Sequence, residues 1–224
     1  MIGKAEDLRD WRLPRGRHGL PREIVERSQR ERLLAAVVRV TVDNGYDATT
    51  VGDILGEAGV GRESFYELFD DKLDCVLAAH KILVDNLEEQ VRAAYLEDGP
   101  WPERARKALA ATLEWFACDP DVAWFTLVVL SAVGPAFRTT FQAEYDRFVR
   151  LLDDGLDEDG PSPELTGATG LAVGAMLARI YEEIVLGRAA DLQRLLPDLT
   201  YGLLVPFVGE KVARAEQRRA AALS

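Results

Sequence analysis

The segment AGVGRESFYELF, residues 58–69, constrains the fold more than any other part of the chain. Two glycines bracket Val60, and the stretches on either side carry apolar residues at helical spacing: Val51, Ile54, Leu55 and Ala58 before the corner, Phe65 and Phe69 after it. Neither stretch is long enough to be a stable helix by itself. Both must lean on a longer neighbour, and the preceding residues supply one. Leu33, Leu34, Val37, Val38 and Thr41 form a helical face that runs to Asn44, with Gly45 placed to end it. Pro21 suits the first helical position. Ser28 with Glu31 offers a later start as a capping box. Thr50 with Asp53 is a capping box for the second helix, and Gly59 terminates it.

One long helix followed by two short ones across a Gly-containing turn is the layout of a helix-turn-helix. Ala58 lets the short helices approach, Gly59 takes a backbone conformation costly for other residues, and Val60 plugs the corner. Phe65 and Phe69 then anchor the second short helix inward. Arg62, Glu63, Ser64, Tyr66 and Glu67 face outward. In such a motif the N-terminal residues of the second helix reach base edges in the major groove.

The charge distribution both permits and limits that reading. A formal net charge of -11 excludes a protein that coats nucleic acid nonspecifically. Residues 9–32 nevertheless hold eight arginines against four acids, and Arg9, Arg12, Arg15 and Arg17 precede the first helix. Residues 1–20 therefore form a basic arm. Either it reaches DNA, as basic arms do in the minor groove, or it is a solvated tail.

The rest of the chain repeats the helical period, and no alternating strand pattern occurs. Asp71 can cap a helix from Lys72 to about Glu97, and EDGPWP at 97–102 breaks it. Further helices are expected at 102–117, 120–132, 135–157, 163–187 and 197–219, with Pro206 set to kink the last. The expectation is an all-α protein of about nine helices: an arm at 1–20, a helix-turn-helix domain at 21–80, and a second helical domain at 81–224. No apolar h-region opens the chain, and the longest uncharged run, Val122 to Phe137, falls short of the ~20 residues of a spanning helix. A cytoplasmic protein without a membrane partner is expected. Cys75 and Cys118 lie far apart, so no disulfide framework is implied.

GYDATTVGDILGEAGVGRESFYELFDDKLD, residues 45–74, resembles the DNA-binding segment of TetR/AcrR-type transcriptional regulators. Gly45, Thr49-Thr50-Val51, Asp53-Ile54, Ala58-Gly59-Val60, Arg62, Phe65-Tyr66, Phe69 and Asp71-Lys72 carry the resemblance, which extends over residues 28–80. It implies that Thr50 and Tyr66 hold phosphates, that Lys72 reaches a phosphate, and that Arg62, Glu63 and Ser64 sit over bases. Arg12, Arg15 and Arg17 add the arm. Two positions depart from the pattern: Gly61 stands where Ser is usual, and Leu68 where His is common.

The resemblance also implies a (pseudo)palindromic double-stranded DNA operator, a homodimer, and, at 81–224, a ligand-binding and dimerisation domain with a mainly apolar cavity for a small-molecule effector. Trp115, Phe141, Tyr145, Met176 and Tyr181 are the cavity candidates, with core packing as the alternative for each. Residues 167–187, rich in Gly and Ala, and the apolar positions of 199–212 form either the dimer interface or packing within the subunit. Arg179 has Glu182 and Glu183 one turn on, an arrangement for local ion pairs. Paired acids such as Glu182-Glu183 are otherwise expected on exposed faces. No HExxH, GxSxG or Cys/His cluster is present, so neither an enzyme nor a cofactor is indicated. The function read from the sequence is a repressor released by its ligand. The alternative is a DNA-binding regulator that activates, or works through a protein partner.

Overall fold

The computed structural model describes residues 21–159 and 167–223. The basic arm, with Arg12, Arg15 and Arg17, lies outside the described residues. Among those described, nine α-helices and no strand occur: α1 Arg22–Asn44, α2 Val51–Ala58, α3 Arg62–Leu68, α4 Lys72–Tyr95, α5 Trp101–Cys118, α6 Pro120–Trp124, α7 Pro135–Asp159, α8 Ala168–Val185 and α9 Leu196–Ala221. No single helix among them is long and apolar enough to cross a membrane. The chain divides into two compact units. One holds residues up to Leu83 together with Trp124–Gly134, the other Val84–Ala123 and the chain from Pro135 on.

In the first unit, local chemistry sets most helix ends. Pro21 precedes α1 as its N-cap, with φ -52° and ψ 141°, rather than occupying the first helical turn. The later start is not used, because Ser28 is buried inside α1. Leu33 and Val37 are fully buried, and the Thr41 hydroxyl donates to the Val37 carbonyl at 2.6 Å. The Thr50–Asp53 capping box forms as expected. Gly59 sits at φ 61° and ψ 37°, the left-handed region that penalises a side chain, and its N–H donates to the Leu55 carbonyl at 2.9 Å. Phe65 and Phe69, with rings 5.7 Å apart, fill the space beneath α3. Asp71 accepts from the Asp74 N–H at 2.8 Å, as a cap for α4 should.

Residues 120–132 correct the expectation of one helix. Only Pro120–Trp124 is α-helical; Phe125–Val129 forms a π-helix and Leu130–Val133 a 3-10 turn. Bonding from i to i+5 widens the turn here, and Phe125 and Leu130 are both fully buried. The apolar pattern cannot distinguish this wider turn from an α-turn. The segment packs against α1 and so belongs to the first unit despite its place in the chain.

The second unit is built around α5, whose Trp101, Leu113 and Phe116 are almost fully buried against α9 and a 3-10 segment, Ala189–Leu195, that has no clear signal in the sequence. Trp101 Nε1 donates to the Leu152 carbonyl at 3.1 Å, and its ring meets Phe207 edge-on at 5.4 Å. A buried ion pair, Arg106 to Glu216 at 2.8 Å, joins α5 to the last turns of α9. The break expected at Pro206 falls at Gly209, where φ is 73° and ψ 169°. Pro206 removes one backbone donor, and the glycine three residues later absorbs the change of direction.

Candidate nucleic-acid interface

The geometry of the first unit presents α3 as an exposed ledge on an apolar footing. Phe65 is fully buried, whereas Arg62, Glu63 and Tyr66 are exposed and Ser64 is half-buried. The Arg62 guanidinium lies 5.8 Å from the Tyr66 ring centroid, a cation–π contact that limits the freedom of both side chains. Tyr66 is itself held edge-on against Phe65 at 5.3 Å. Arg62 is therefore linked through Tyr66 to the buried footing.

Thr50 is exposed at the N-terminus of α2. Its hydroxyl donates to Asp53 Oδ2 at 2.7 Å, and its backbone N–H donates to the same oxygen at 2.8 Å. These two bonds hold the Asp53 carboxyl below its ordinary range. The loop before Thr50 is tied down from several sides. Thr49 donates to the carbonyls of Gly45 at 2.8 Å and Val40 at 3.1 Å. Lys72 Nζ donates to the carbonyls of Tyr46 at 2.6 Å and Thr49 at 2.8 Å, and lies 4.1 Å from the Tyr46 ring centroid. Across the unit, an ion pair between Arg39 and Glu57 joins α1 to α2. Beneath this surface Cys75 is fully buried, and burial pushes its thiol up to about 12.

The candidate effector residues all belong to the second unit. Trp115 Nε1 donates to Asn86 Oδ1 at 2.8 Å. Gln90 Nε2 donates to that same oxygen at 2.8 Å. The Tyr145 hydroxyl donates to the Gly170 carbonyl. Met176 is half-buried, while Phe141 and Tyr181 are 37% and 40% exposed, which puts those two at the surface of the unit. An ion pair from Arg147 Nε to Glu88 at 2.8 Å joins α7 to the second half of α4.

Two features of α8 refine the sequence reading. Carbons built at Gly170 and Gly174 would lie 3.4 and 3.5 Å from the Tyr145 hydroxyl, so these glycines face α7 within the subunit. The side of α8 turned outward carries Leu171, Ala175, Ala178 and Val185 instead, with Leu171 79% exposed. Arg179 pairs with both Glu182 and Glu183, as their spacing suggested. Glu183, however, is not on an exposed face. It is completely buried, with Arg188 and Arg194 also upon it, and those guanidinium groups arrive from beyond the end of α8.

The helix-turn-helix geometry coincides with the segment that known families share: the family model of bacterial regulatory proteins, tetR family, matches residues 33–79, from the middle of α1 into α4. Residues 33–79 carry the DNA-binding region of the tetR family. The chain is 30% identical over 118 residues to the HTH-type transcriptional activator FasR of Mycolicibacterium smegmatis, covering 53% of this chain and 54% of that one. It is also 30% identical over 123 residues to the HTH-type transcriptional regulator CymR of Pseudomonas putida, covering 55% and 61%. The matched regions thus span little more than half the length of either relative. Among solved structures, the fatty acid degradation regulator FadR from Bacillus halodurans shares the fold at a TM-score of 0.71 and 19% identity, over 79% of this chain and 94% of that one. FadR from Bacillus subtilis, in complex with stearoyl-CoA, superposes at 0.69 with 19% identity, over 77% and 96%.

Both departures from the TetR-family pattern have local consequences. Gly61 caps α3 in an extended conformation, φ -73° and ψ 154°, with no side-chain bond to the helix. Leu68 is half-buried beside Phe69 in sequence and offers no polar group. Tyr46 and Arg39 were missed as contributors to this surface. Tyr46 directly follows the helix-ending Gly45, but its pairing with Lys72, 26 residues on, has no local signature.

Proposed function

We propose that this protein is a homodimeric, sequence-specific DNA-binding regulator of the TetR family acting in the cytoplasm, most directly as a repressor released by a largely apolar small molecule. The observation that carries the reading is the α3 ledge: exposed Arg62, Glu63 and Tyr66 with half-buried Ser64, seated on buried Phe65 and Phe69. Arg62, Glu63 and Ser64 would meet base edges; arginine pairs bidentately with guanine, and a carboxylate accepts from cytosine N4. Thr50 and Tyr66 would meet phosphates, which position the protein without reading sequence. Two such ledges in a dimer would address half-sites about one helical turn apart, making the operator a (pseudo)palindrome.

The effector half of the proposal rests on the second unit. Trp115, Tyr145 and Met176 are half-buried there, and the polar atoms of the first two are already hydrogen-bonded. A ligand placed there would gain mainly by apolar burial. It would act only by binding one state of the protein better than the other. The FadR structure with stearoyl-CoA makes long-chain acyl-CoA the first class to test. The activating alternative draws support from FasR, a relative named as an activator.

Selection of bound sequences from random DNA tests the core of this reading, because it yields the operator and its symmetry together. Arg62→Ala should alter the selected sequence and cost about 1–3 kcal/mol at the preferred site. An unchanged sequence profile would remove Arg62 from base reading. A reporter carrying the selected operator, with and without stearoyl-CoA, separates repression from activation.

A further inference from the structure

Lys72 is the residue whose geometry departs furthest from a phosphate contact. Its ammonium has three N–H donors. Two of them are spent on the carbonyls of Tyr46 and Thr49, at 2.6 and 2.8 Å, and the charge lies 4.1 Å from the Tyr46 ring centroid. The side chain is half-buried in this arrangement. Turning it outward to a phosphate would leave two carbonyls without that donor and break the cation–π contact. Lys72 is also the first residue of α4, whereas Tyr46 and Thr49 belong to the loop that delivers Thr50 to the start of α2. One side chain therefore joins the beginning of α4 to the loop that holds a proposed phosphate-binding residue.

We propose that Lys72 is a positioning residue for DNA binding: its ammonium clamps the loop 45–50 and sets the place of Thr50 relative to α4, instead of neutralising a phosphate itself. This inference rests on the DNA-binding reading given above. Its physical content is that the α4 N-terminus cannot move without drawing on the Tyr46 and Thr49 carbonyls, so Thr50 follows α4. Tyr46 is the second half of the clamp, since its ring closes over the charge.

Lys72→Met keeps the aliphatic stem and removes the donors and charge. In the free protein, amide hydrogen exchange at residues 46–53 should accelerate, while protection of Phe65 and Val76 stays as in the parent. Unchanged exchange at 46–53 would overturn the clamp whether or not DNA is bound. On the selected operator, affinity should fall about five- to tenfold, the equivalent of one hydrogen bond. The log-log salt slope should remain that of the parent, because the number of neutralised phosphates is unchanged. Lys72→Met should also cost less in a Thr50→Ala background than alone, as coupled residues do. A slope flatter by about 0.9, with the two substitutions additive, would make Lys72 a direct phosphate contact and overturn the proposal. Failure of the parent to select any DNA sequence would instead defeat the DNA-binding reading, leaving the exchange result to decide the clamp.

Discussion

The Tyr95 phenolic oxygen occupies the space into which a side chain at Gly155 would project: a Cβ built on Gly155 comes within 1.7 Å of it and 2.9 Å of Trp101 Cδ1. Tyr95 closes α4 and Gly155 lies inside α7, so this contact sets how closely the two helices approach. Neither neighbour can step aside, since Tyr95 and Trp101 are 3% and 2% exposed. Glycine inside a helix is ordinarily a liability against alanine, but here the close approach outweighs it. Gly155→Ala is expected to destabilise the protein by about 1–3 kcal/mol, the usual cost of overpacking. Adding Tyr95→Phe should recover part of that loss by removing the nearest atom. Urea midpoints of the single and double variants check this, and a parental midpoint for Gly155→Ala would refute the close approach.

The opposite outcome is expected at Gly61. Its backbone is extended at φ -73°, and a Cβ at this position would meet nothing within 4 Å. Gly61→Ser would supply the missing N-cap for α3. A serine cap betters glycine by only a few tenths of a kcal/mol, and reduced freedom of the unfolded chain adds about 0.4–1 kcal/mol. Thermal unfolding should therefore shift upward. A lower midpoint would show that α3 does not begin where Gly61 places it.

Glu183 makes stability depend on pH at the acid end. The hydrogen bond from Arg188, with the charges of Arg179 and Arg194, holds its carboxyl at about 2 against an ordinary value of 4.5 despite burial. A carboxyl depressed in the folded state stabilises the fold above the unfolded value, and that contribution is lost as pH falls through the folded one. Glu183→Gln should therefore be less stable than the parent at neutral pH, and the gap should close between about pH 4.5 and 2. A gap that persists at pH 2 would assign the effect to packing rather than charge.

The proposed dimer surface follows from exposed apolar residues on neighbouring helices. Leu171, Ala175 and Val185 line the outer side of α8, and Gly202, Pro206 and Val212 are exposed on α9, with Val208 half-buried between them. Exposed apolar residues grouped on adjoining helices are a mark of protein–protein contact sites. Sedimentation at micromolar concentration should give twice the 24.8 kDa chain mass. Ala175→Arg or Val208→Arg should bring it to the monomer. Retention of the dimer by both variants would place the interface elsewhere.

The basic arm yields a prediction about salt. If Arg12, Arg15 and Arg17 neutralise phosphates, a protein lacking residues 1–20 should bind its operator more weakly. Its log-log salt slope should be flatter by roughly 2–3 units, about 0.9 for each phosphate no longer neutralised. The weakening should be greatest for operators with A·T-rich flanks, whose narrow minor groove attracts arginine. Equal slopes for the two proteins would make the arm a bystander.

What the sequence determined alone were the features whose causes lie within a turn or two of chain. The Thr50–Asp53 box, the left-handed Gly59 and the Asp71 cap each satisfy backbone groups three or four residues away, so their signatures are local. Buried Phe65 and Phe69 followed from helical spacing, and with them the outward side of α3. Tertiary structure decided the rest. Lys72 found its partners 23 and 26 residues back. Glu183 was drawn into the interior by arginines beyond its helix. Residues 124–134 joined the first unit by packing on α1. Gly170 and Gly174 turned toward Tyr145 within the subunit. Periodicity identifies which face of a helix is apolar; the identity of the group that comes to cover it depends on where distant segments meet.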